Sequence, residues 1–236
     1  MNDVAMHVDH LMWAAPDLDA GIDLLAALTG CRAIPGGAHP GNGTRNALLG
    51  VSNQLGMRKQ PGMAEQHVGR PLGPGEAGRN RCYLEIIAPD PAQVRTKTMG
   101  AELERLEHPE LRTWAVAATD LDSIAAELVQ RGVSTEGPRA MSRRTPRGEL
   151  LQWRLLFARA PGLGGVMPFF IDWGSSAHPS LELAQECRLK TLQLTMPADS
   201  SVFEWLKRIE GVDVVEGDGP RMCATIATPK GVIELR

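Results

Sequence analysis

The clearest pattern in the chain is a run of apolar residues closed by Asp-Leu-Asp, and it occurs twice. His10-Leu-Met-Trp-Ala-Ala-Pro-Asp-Leu-Asp19 is echoed by Thr113-Trp-Ala-Val-Ala-Ala-Thr-Asp-Leu-Asp122, at a constant offset of 103 residues. In each copy a short apolar stretch runs into an acidic cap and then an amphipathic segment, as expected of a strand that feeds a helix. The first copy predicts a strand over 7–15, then a helix capped by Asp17 or Asp19. Ile22, Leu24, Leu25 and Leu28 form its apolar side, and it ends near Gly30. An extended piece over 31–35 leads into a glycine-rich loop, Gly36-Gly-Ala-His-Pro-Gly-Asn-Gly-Thr44, and strands follow over 46–51 and 82–88. Residues 52–80 are rich in Gly and Pro without a regular apolar period, which predicts a long mobile loop.

The second copy predicts a strand over 112–118 and a helix from Asp120 or Asp122 through Leu128, with Gly132 at its end. Strands over 152–158 and 166–173 follow, separated by Pro161-Gly-Leu-Gly-Gly165. A third, partial copy has a strand over 190–196, a helix from Asp199 through Ile209 and a strand over 212–215. It closes on a hairpin of 222–228 and 232–235 around Pro229-Lys-Gly231. One helix per group of strands argues for an α+β architecture. The expected division is a first unit over 1–108, a second over 109–180 and a partial third over 181–236, packed as one compact whole.

Charge narrows the function classes. The 236-residue chain has a net charge of −3 and no Lys/Arg block, which excludes a nucleic-acid footprint or a contact with anionic membrane. Arg143-Arg144-Thr-Pro-Arg147 is either a solvated loop or an anion contact. The four cysteines lack zinc-ribbon spacing, which argues against structural zinc and against a disulfide framework. The first ten residues carry Asp3, His7, Asp9 and His10 in place of a signal-peptide core, and no apolar run reaches membrane-spanning length. The expectation is a soluble cytoplasmic protein with a small-molecule partner.

Several polar residues stand in apolar surroundings. His10 on the first strand is either a ligand or base, or a core histidine bonded to a neighbour. Glu85 interrupts Tyr83-Leu-Glu-Ile-Ile87, where an unpartnered carboxylate is costly to bury, so it should face a cleft, a cation or a metal. His39 lies among glycines that let backbone come close to a ligand, with Thr44 and Asn46 offering a hydroxyl and an amide to bound oxygens. Asp172, beside Trp173, is either a cleft carboxylate or a strand-end residue. Trp13, Trp114, Phe169 and Phe170 are core or substrate platform.

Val8-Asp-His-Leu with Pro16-Asp-Leu, the Gly36–Asn46 stretch, and Met167-Pro-Phe-Phe-Ile-Asp-Trp-Gly174 with His178-Pro179 together resemble the vicinal oxygen chelate superfamily, and its glyoxalase-like branch most of all. The resemblance implies paired βαβββ modules whose antiparallel sheets curl around a cleft. It also implies a divalent metal held by a first-strand His and a fourth-strand Glu from each of two modules, gripping adjacent substrate oxygens as a Lewis acid. Carried over, His10 and Glu85 fill the first pair. The second copy has Thr113, and aligning Pro168-Phe-Phe170 with Tyr83-Leu-Glu85 puts Phe170 at the glutamate position, with Asp172 two residues beyond. The third has Thr191, with Glu234 restoring the carboxylate.

The four-ligand set is thus incomplete, and His39 is the candidate third ligand for Zn, Fe, Mn or Ni. An enzyme of lyase, isomerase or dioxygenase type would use Glu85 or Asp172 to move a proton, with His39, Thr44, Asn46, Trp13 and Phe170 contacting substrate. The competing expectation is a binding protein that grips a small ligand without turnover, using Arg79 or Arg81, Thr44 and the aromatics. A homodimer is expected if the partial third copy leaves a sheet edge open.

Overall fold

The computed structural model describes residues 6–53, 81–144 and 148–236, with the side chain of Arg81 excepted. The loop expected over 52–80 lies outside the described residues from position 54 onward, as do Arg79 and Arg147; β3 runs on through Asn53.

Each of the first two units begins with the same local logic. β1 (His7–Ala14) leads into α1 (Leu18–Thr29), where the Asp17 side chain accepts a hydrogen bond from Ala20 N at 2.8 Å. β5 (Glu110–Ala117) leads into α3 (Leu121–Gln130), where Asp120 accepts from Ser123 N at 3.0 Å. Asp17 and Asp120 stand at equivalent places in the repeat, so the first aspartate of each Asp-Leu-Asp is the cap. Gly30 ends α1 in the left-handed region at φ 82°. Both helices bury one stripe against the sheet: Leu18, Ile22 and Leu25 in α1, Leu121, Ile124 and Leu128 in α3. Each such side chain contributes roughly 1.5–3 kcal/mol. Leu24 and Leu28, grouped with that face on sequence grounds, are exposed.

The first unit continues through β2 (Ile34–His39), β3 (Thr44–Asn53) and β4 (Arg81–Pro89). A short helix, α2 (Met99–Leu103), precedes β5. The second unit continues through β6 (Ser134–Arg144), β7 (Leu150–Arg159) and β8 (Phe169–Asp172). In each, the fourth strand lies parallel beside the first, the third lies antiparallel to the fourth, and the second pairs with the third. β1 and β5 join the units as antiparallel neighbours. The α+β class and the curled sheet around a cleft are present; the sheet, expected to be antiparallel, is mixed, because β1–β4 and β5–β8 pair in parallel.

β6 has no counterpart in the sequence reading. Its residues, STEGPRAMSRR, are mostly exposed and lack apolar alternation, and Pro138 falls where the register with β7 shifts. It is an edge strand, and its Arg143 donates a hydrogen bond to the Gly36 carbonyl of β2, so the curled sheet turns back on its own first unit. The segment expected to be glycine-rich loop is also partly strand, since Gly36 and Gly37 belong to β2.

The remaining chain forms β9 (Cys187–Met196), α4 (Phe203–Leu206), β10 (Val212–Glu216), β11 (Arg221–Thr228) and β12 (Gly231–Leu235). Here the strand parallel to the first is the second, β10, and β9 also runs parallel to the end of β3 at Val51–Asn53. This group therefore extends the sheet without curling it into another cleft. Glu234, which completes the family pattern on paper, is half-exposed and paired with Arg236.

The helices cover one face of the sheet, burying Leu11, Trp13, Leu84, Ile86, Trp114 and Phe170 among others. The opposite, concave face carries Met12, Leu155, Phe169 and Ile171 and encloses a cavity of about 850 Å³.

Candidate functional site

One end of the cavity is polar, and a backbone irregularity creates it. Against β5, Val8 faces Val116 while His10 faces Ala115, which leaves Asp9 as the extra residue of a bulge. In a regular strand Asp9 and His10 would point to opposite faces; a bulge re-aims side chains. Here the Asp9 carboxylate meets the neighbouring imidazole, with His10 Nδ1 at 2.6 Å from Oδ1. Its other oxygen accepts from Trp173 Nε1 at 3.0 Å and lies 3.2 Å from His178 Nε2. Burial alone would raise the Asp9 carboxyl, but the charge of His178 and hydrogen bonds from His10 and His178 outweigh it. The group is held far below the ordinary carboxylate range. His178 is itself fixed by Ser180, whose Oγ lies 2.6 Å from Nδ1.

A carboxylate accepts and cannot donate, so His10 Nδ1 carries the proton toward Asp9 and Nε2 is the free face of the ring. Nε2 lies 3.6 Å from Glu85 Oε2. Tyr83 stacks on the His10 ring at 4.6 Å between centroids, and Phe169 meets it edge-on at 5.4 Å.

The β2–β3 hairpin supplies the rest. His39 Nε2 lies 3.7 Å from Glu85 Oε1, and its Nδ1 is 3.0 Å from Thr44 Oγ1. Asn46 Nδ2 donates to Glu85 Oε1 at 2.5 Å and lies 3.3 Å from His39 Nε2. An amide nitrogen only donates, so His39 Nε2 accepts and the ring is neutral. Burial, with the charges of Arg143 and His10, lowers the His39 pKa against the opposing pull of Glu85, in agreement with a neutral ring. Two imidazole nitrogens thus face the two oxygens of one carboxylate, and each ring is held from behind by its own partner, Asp9 for His10 and Thr44 for His39. That is the usual construction around a metal, and the donor types suit a divalent transition ion. As the side chains stand, Asn46 Nδ2 bridges His39 and Glu85. Among the described residues no set of three or more His, Cys, Asp or Glu is already arranged to hold a metal.

The sequence-predicted residues divide by face. His10, His39, Asn46 and Glu85 line the cavity, and Thr44 lies buried behind His39. Trp13, Phe170 and Asp172 do not reach it. Trp13 lies one residue from Met12 and joins the helix-side core. Met12 faces Glu85 across β1–β4, and at the repeat offset Ala115 faces Phe169 across β5–β8. The glutamate position of the second unit is therefore Phe169, and the alignment through Phe170 was one residue out. That slip reverses the face: Phe170 is fully buried against Trp205, and Asp172 accepts from Gly174 N on the side away from the cavity.

Asp9, Trp173 and His178 were missed as a group. Their signal in the sequence was faint, because alternation places Asp9 opposite His10 and nothing announces the bulge.

The glyoxalase-like domain family profile matches residues 8–55 and 77–210. The chain belongs to that family. The fold is also that of a hypothetical protein from Staphylococcus aureus, whose crystal structure aligns at a TM-score of 0.61 and 16% identity, covering 98% of this chain and 99% of that one. Weaker likenesses are to a methylmalonyl-CoA epimerase in complex with methylmalonyl-CoA and NH4+ (TM-score 0.48, 20% identity, 74% and 99% covered) and to the methylmalonyl-CoA epimerase from Mycobacterium tuberculosis (0.44, 20%, 71% and 88%). No curated protein matches the chain. Among the described residues no helix is long and apolar enough to cross a membrane.

Proposed function

We propose that this glyoxalase-like protein is a metal-assisted enzyme of lyase, isomerase or dioxygenase type acting on a small molecule with adjacent oxygens. His10, His39 and Glu85 would hold a divalent ion such as Zn, Fe, Mn or Ni. The observation that carries the reading is the approach of both Nε2 atoms to the two oxygens of Glu85, at 3.6 and 3.7 Å, at the polar end of the cavity. Bound there, the ion would supply Lewis-acid polarisation of the substrate oxygens.

The chain's own groups do the remainder. Asp9 keeps the proton of His10 on Nδ1, and Thr44 and Asn46 fix His39 and Glu85. The apolar floor of Met12, Leu155 and Phe169 excludes water from the reacting end. Glu85 Oε2, which accepts no hydrogen bond among the described residues, is the carboxylate oxygen placed to move a proton. Asp172 has no part in this reading. The cytoplasmic setting remains with it, supported by four free cysteines. So does the homodimer, supported by the sheet edge at β12.

Metal content of the purified protein tests the reading, measured by elemental analysis on wild type, His10→Ala and Glu85→Gln. About one divalent ion per chain, lost in both variants, is the expected result. No metal in any of them after incubation with Zn, Mn, Ni and Fe(II) would overturn it. That outcome would favour the second reading, a cleft that binds its ligand without turnover. Its support is the Asn46 amide between His39 and Glu85, together with Thr113 and Phe169 where the second unit would supply its ligands.

A further inference from the structure

The Arg-rich stretch of β6 has a place at the cavity that the metal reading does not use. Arg143 is half-buried and lines the cavity together with His39, Asn46 and Glu85. It reaches across to β2, where Nη1 donates to the Gly36 carbonyl. Gly36 in turn lies against Asn46, since a Cβ there would stand 2.3 Å from Asn46 Oδ1. The guanidinium is thereby fixed near the polar end of the cavity.

Its charge is available. Arg112, further along the cavity, is paired with Glu102 and Glu110, and Arg236 with Glu234. Arg143 has no carboxylate partner among the described residues. One of its five N–H donors serves Gly36, which leaves most of a planar fork suited to a carboxylate. The wall beside it, on β6, β7 and β8, is apolar and largely aromatic: Met141, Trp153, Leu155, Phe157 and Phe169 line it. A cavity of about 850 Å³ is far larger than a two- or three-carbon substrate needs, and falls in the range that encloses ligands with a substantial hydrocarbon or ring body.

We propose that the ligand of this cavity is a carboxylic acid with a bulky apolar or aryl body, its carboxylate bound by Arg143 and its body lying on the Trp153–Phe157–Phe169 wall. The proposal rests on the metal-site reading only for which end of the ligand reacts. The anion contact stands on Arg143 itself. A buried carboxylate needs a cation and hydrogen bonds to offset its lost hydration, which an uncharged isostere does not. The site should therefore separate an aryl acid from its amide.

The test is calorimetric titration of 2-naphthoate and 2-naphthamide into wild type, Arg143→Gln and Arg143→Lys, with metal content measured on the same samples. Wild type should bind the acid at least about tenfold more tightly than the amide. Arg143→Gln should bring the two within about twofold, with its metal content unchanged, and Arg143→Lys should restore part of the difference. Equal binding of acid and amide by wild type, failure of both to bind, or a preference that survives in folded Arg143→Gln would each overturn the proposal. If Arg143→Gln fails to fold, the wild-type comparison and Arg143→Lys still decide. A metal-free wild type that keeps the acid preference would remove the enzyme reading and leave this one standing. A metal-loaded wild type without the preference would do the reverse.

Discussion

Replacing Asp9 with asparagine separates the support of the candidate metal site from the packing around it. The wild-type carboxylate has an oxygen for His10 at 2.6 Å, and a second that serves Trp173 at 3.0 Å and His178 at 3.2 Å. Asparagine is nearly the same shape but has a single acceptor oxygen. Whichever way the amide is turned, its NH2 faces an N–H donor on one side. At least one charge-assisted hydrogen bond is lost in a site where the residue is 1% exposed, which costs about 1.5–3 kcal/mol. For a chain of this size that is roughly 5–10 °C in Tm. The larger consequence concerns His10. The single amide oxygen is drawn to the side with two donors, Trp173 and His178, which turns the NH2 toward His10 Nδ1 and removes the partner that fixes its tautomer. Losses of this kind behind a ligand weaken metal binding about 10–100-fold. Trp173→Phe is the control. It removes one donor to Asp9 Oδ2 and leaves the His10–Oδ1 contact, so it should lower stability with little change in metal affinity. Urea unfolding gives the stability, and Zn titration in competition with a chromophoric chelator gives the affinity. Folded Asp9→Asn with a Zn Kd within about twofold of wild type would show that Asp9 anchors the fold and does not prepare a ligand.

Two further outcomes follow from local geometry. Gly36→Ala places a Cβ 2.3 Å from Asn46 Oδ1 and 3.1 Å from Leu48, at a backbone conformation that alanine accepts. The clash should cost about 1–3 kcal/mol and displace the amide that holds Glu85, lowering Zn affinity; unchanged unfolding and unchanged Zn titration would contradict the packing described for β2. Asp90, at the turn after β4, is held below its ordinary value first by the Gln93 hydrogen bond, against burial, with help from Ala92 N–H and the charges of Arg45 and Arg95. A folded pKa below the unfolded one contributes stability that is complete above about pH 4 and is lost as the pH falls through the folded value. Asp90→Asn should therefore be less stable than wild type at pH 7, with the gap narrowing as the pH is lowered below about 4, and a gap of equal size at pH 7 and pH 3 in urea unfolding would refute the assignment.

Much of the fold was legible because the repeat obeys one rule twice. The 103-residue offset equates Asp17 with Asp120, and both cap helices; it equates β1 with β5, and these strands pair. His10, His39 and Glu85 were legible because polar groups in apolar or glycine-rich surroundings need a reason to be there. β6 was not, since an edge strand needs no alternating apolar pattern and this one contains Gly137-Pro138. Phe170 and Asp172 were misplaced for a different reason. Sequence alignment of a four-residue strand leaves a one-residue ambiguity, and in a strand one residue exchanges the two faces. Asp9 was hidden by a bulge, which depends on pairing with β5 and not on the residues of β1 alone.

The two units differ in a way that bears on how a ligand would lie. Across the antiparallel β1–β5 junction, the positions equivalent to His10 and Glu85 are Thr113 and Phe169, and both line the cavity. A symmetric pair of units would centre an ion between them. Here all three candidate ligands come from the first unit, on β1, β2 and β4, and His39 enters from a hairpin strand that the four-ligand pattern does not use. The second unit contributes Phe169, Leu155 and Phe157 to the opposite wall and, through Trp173, a donor to the carboxylate behind His10. A ligand bound between such walls would lie with its reacting oxygens toward the first unit and its apolar body on the second, with Arg143 of β6 reaching back to the polar end. Converting Phe169 to a carboxylate would not restore a symmetric site, because it would bury a charge against Phe157 and the edge of His10. One residue, Phe169, thus accounts both for the missing carboxylate of the second unit and for part of its aromatic wall.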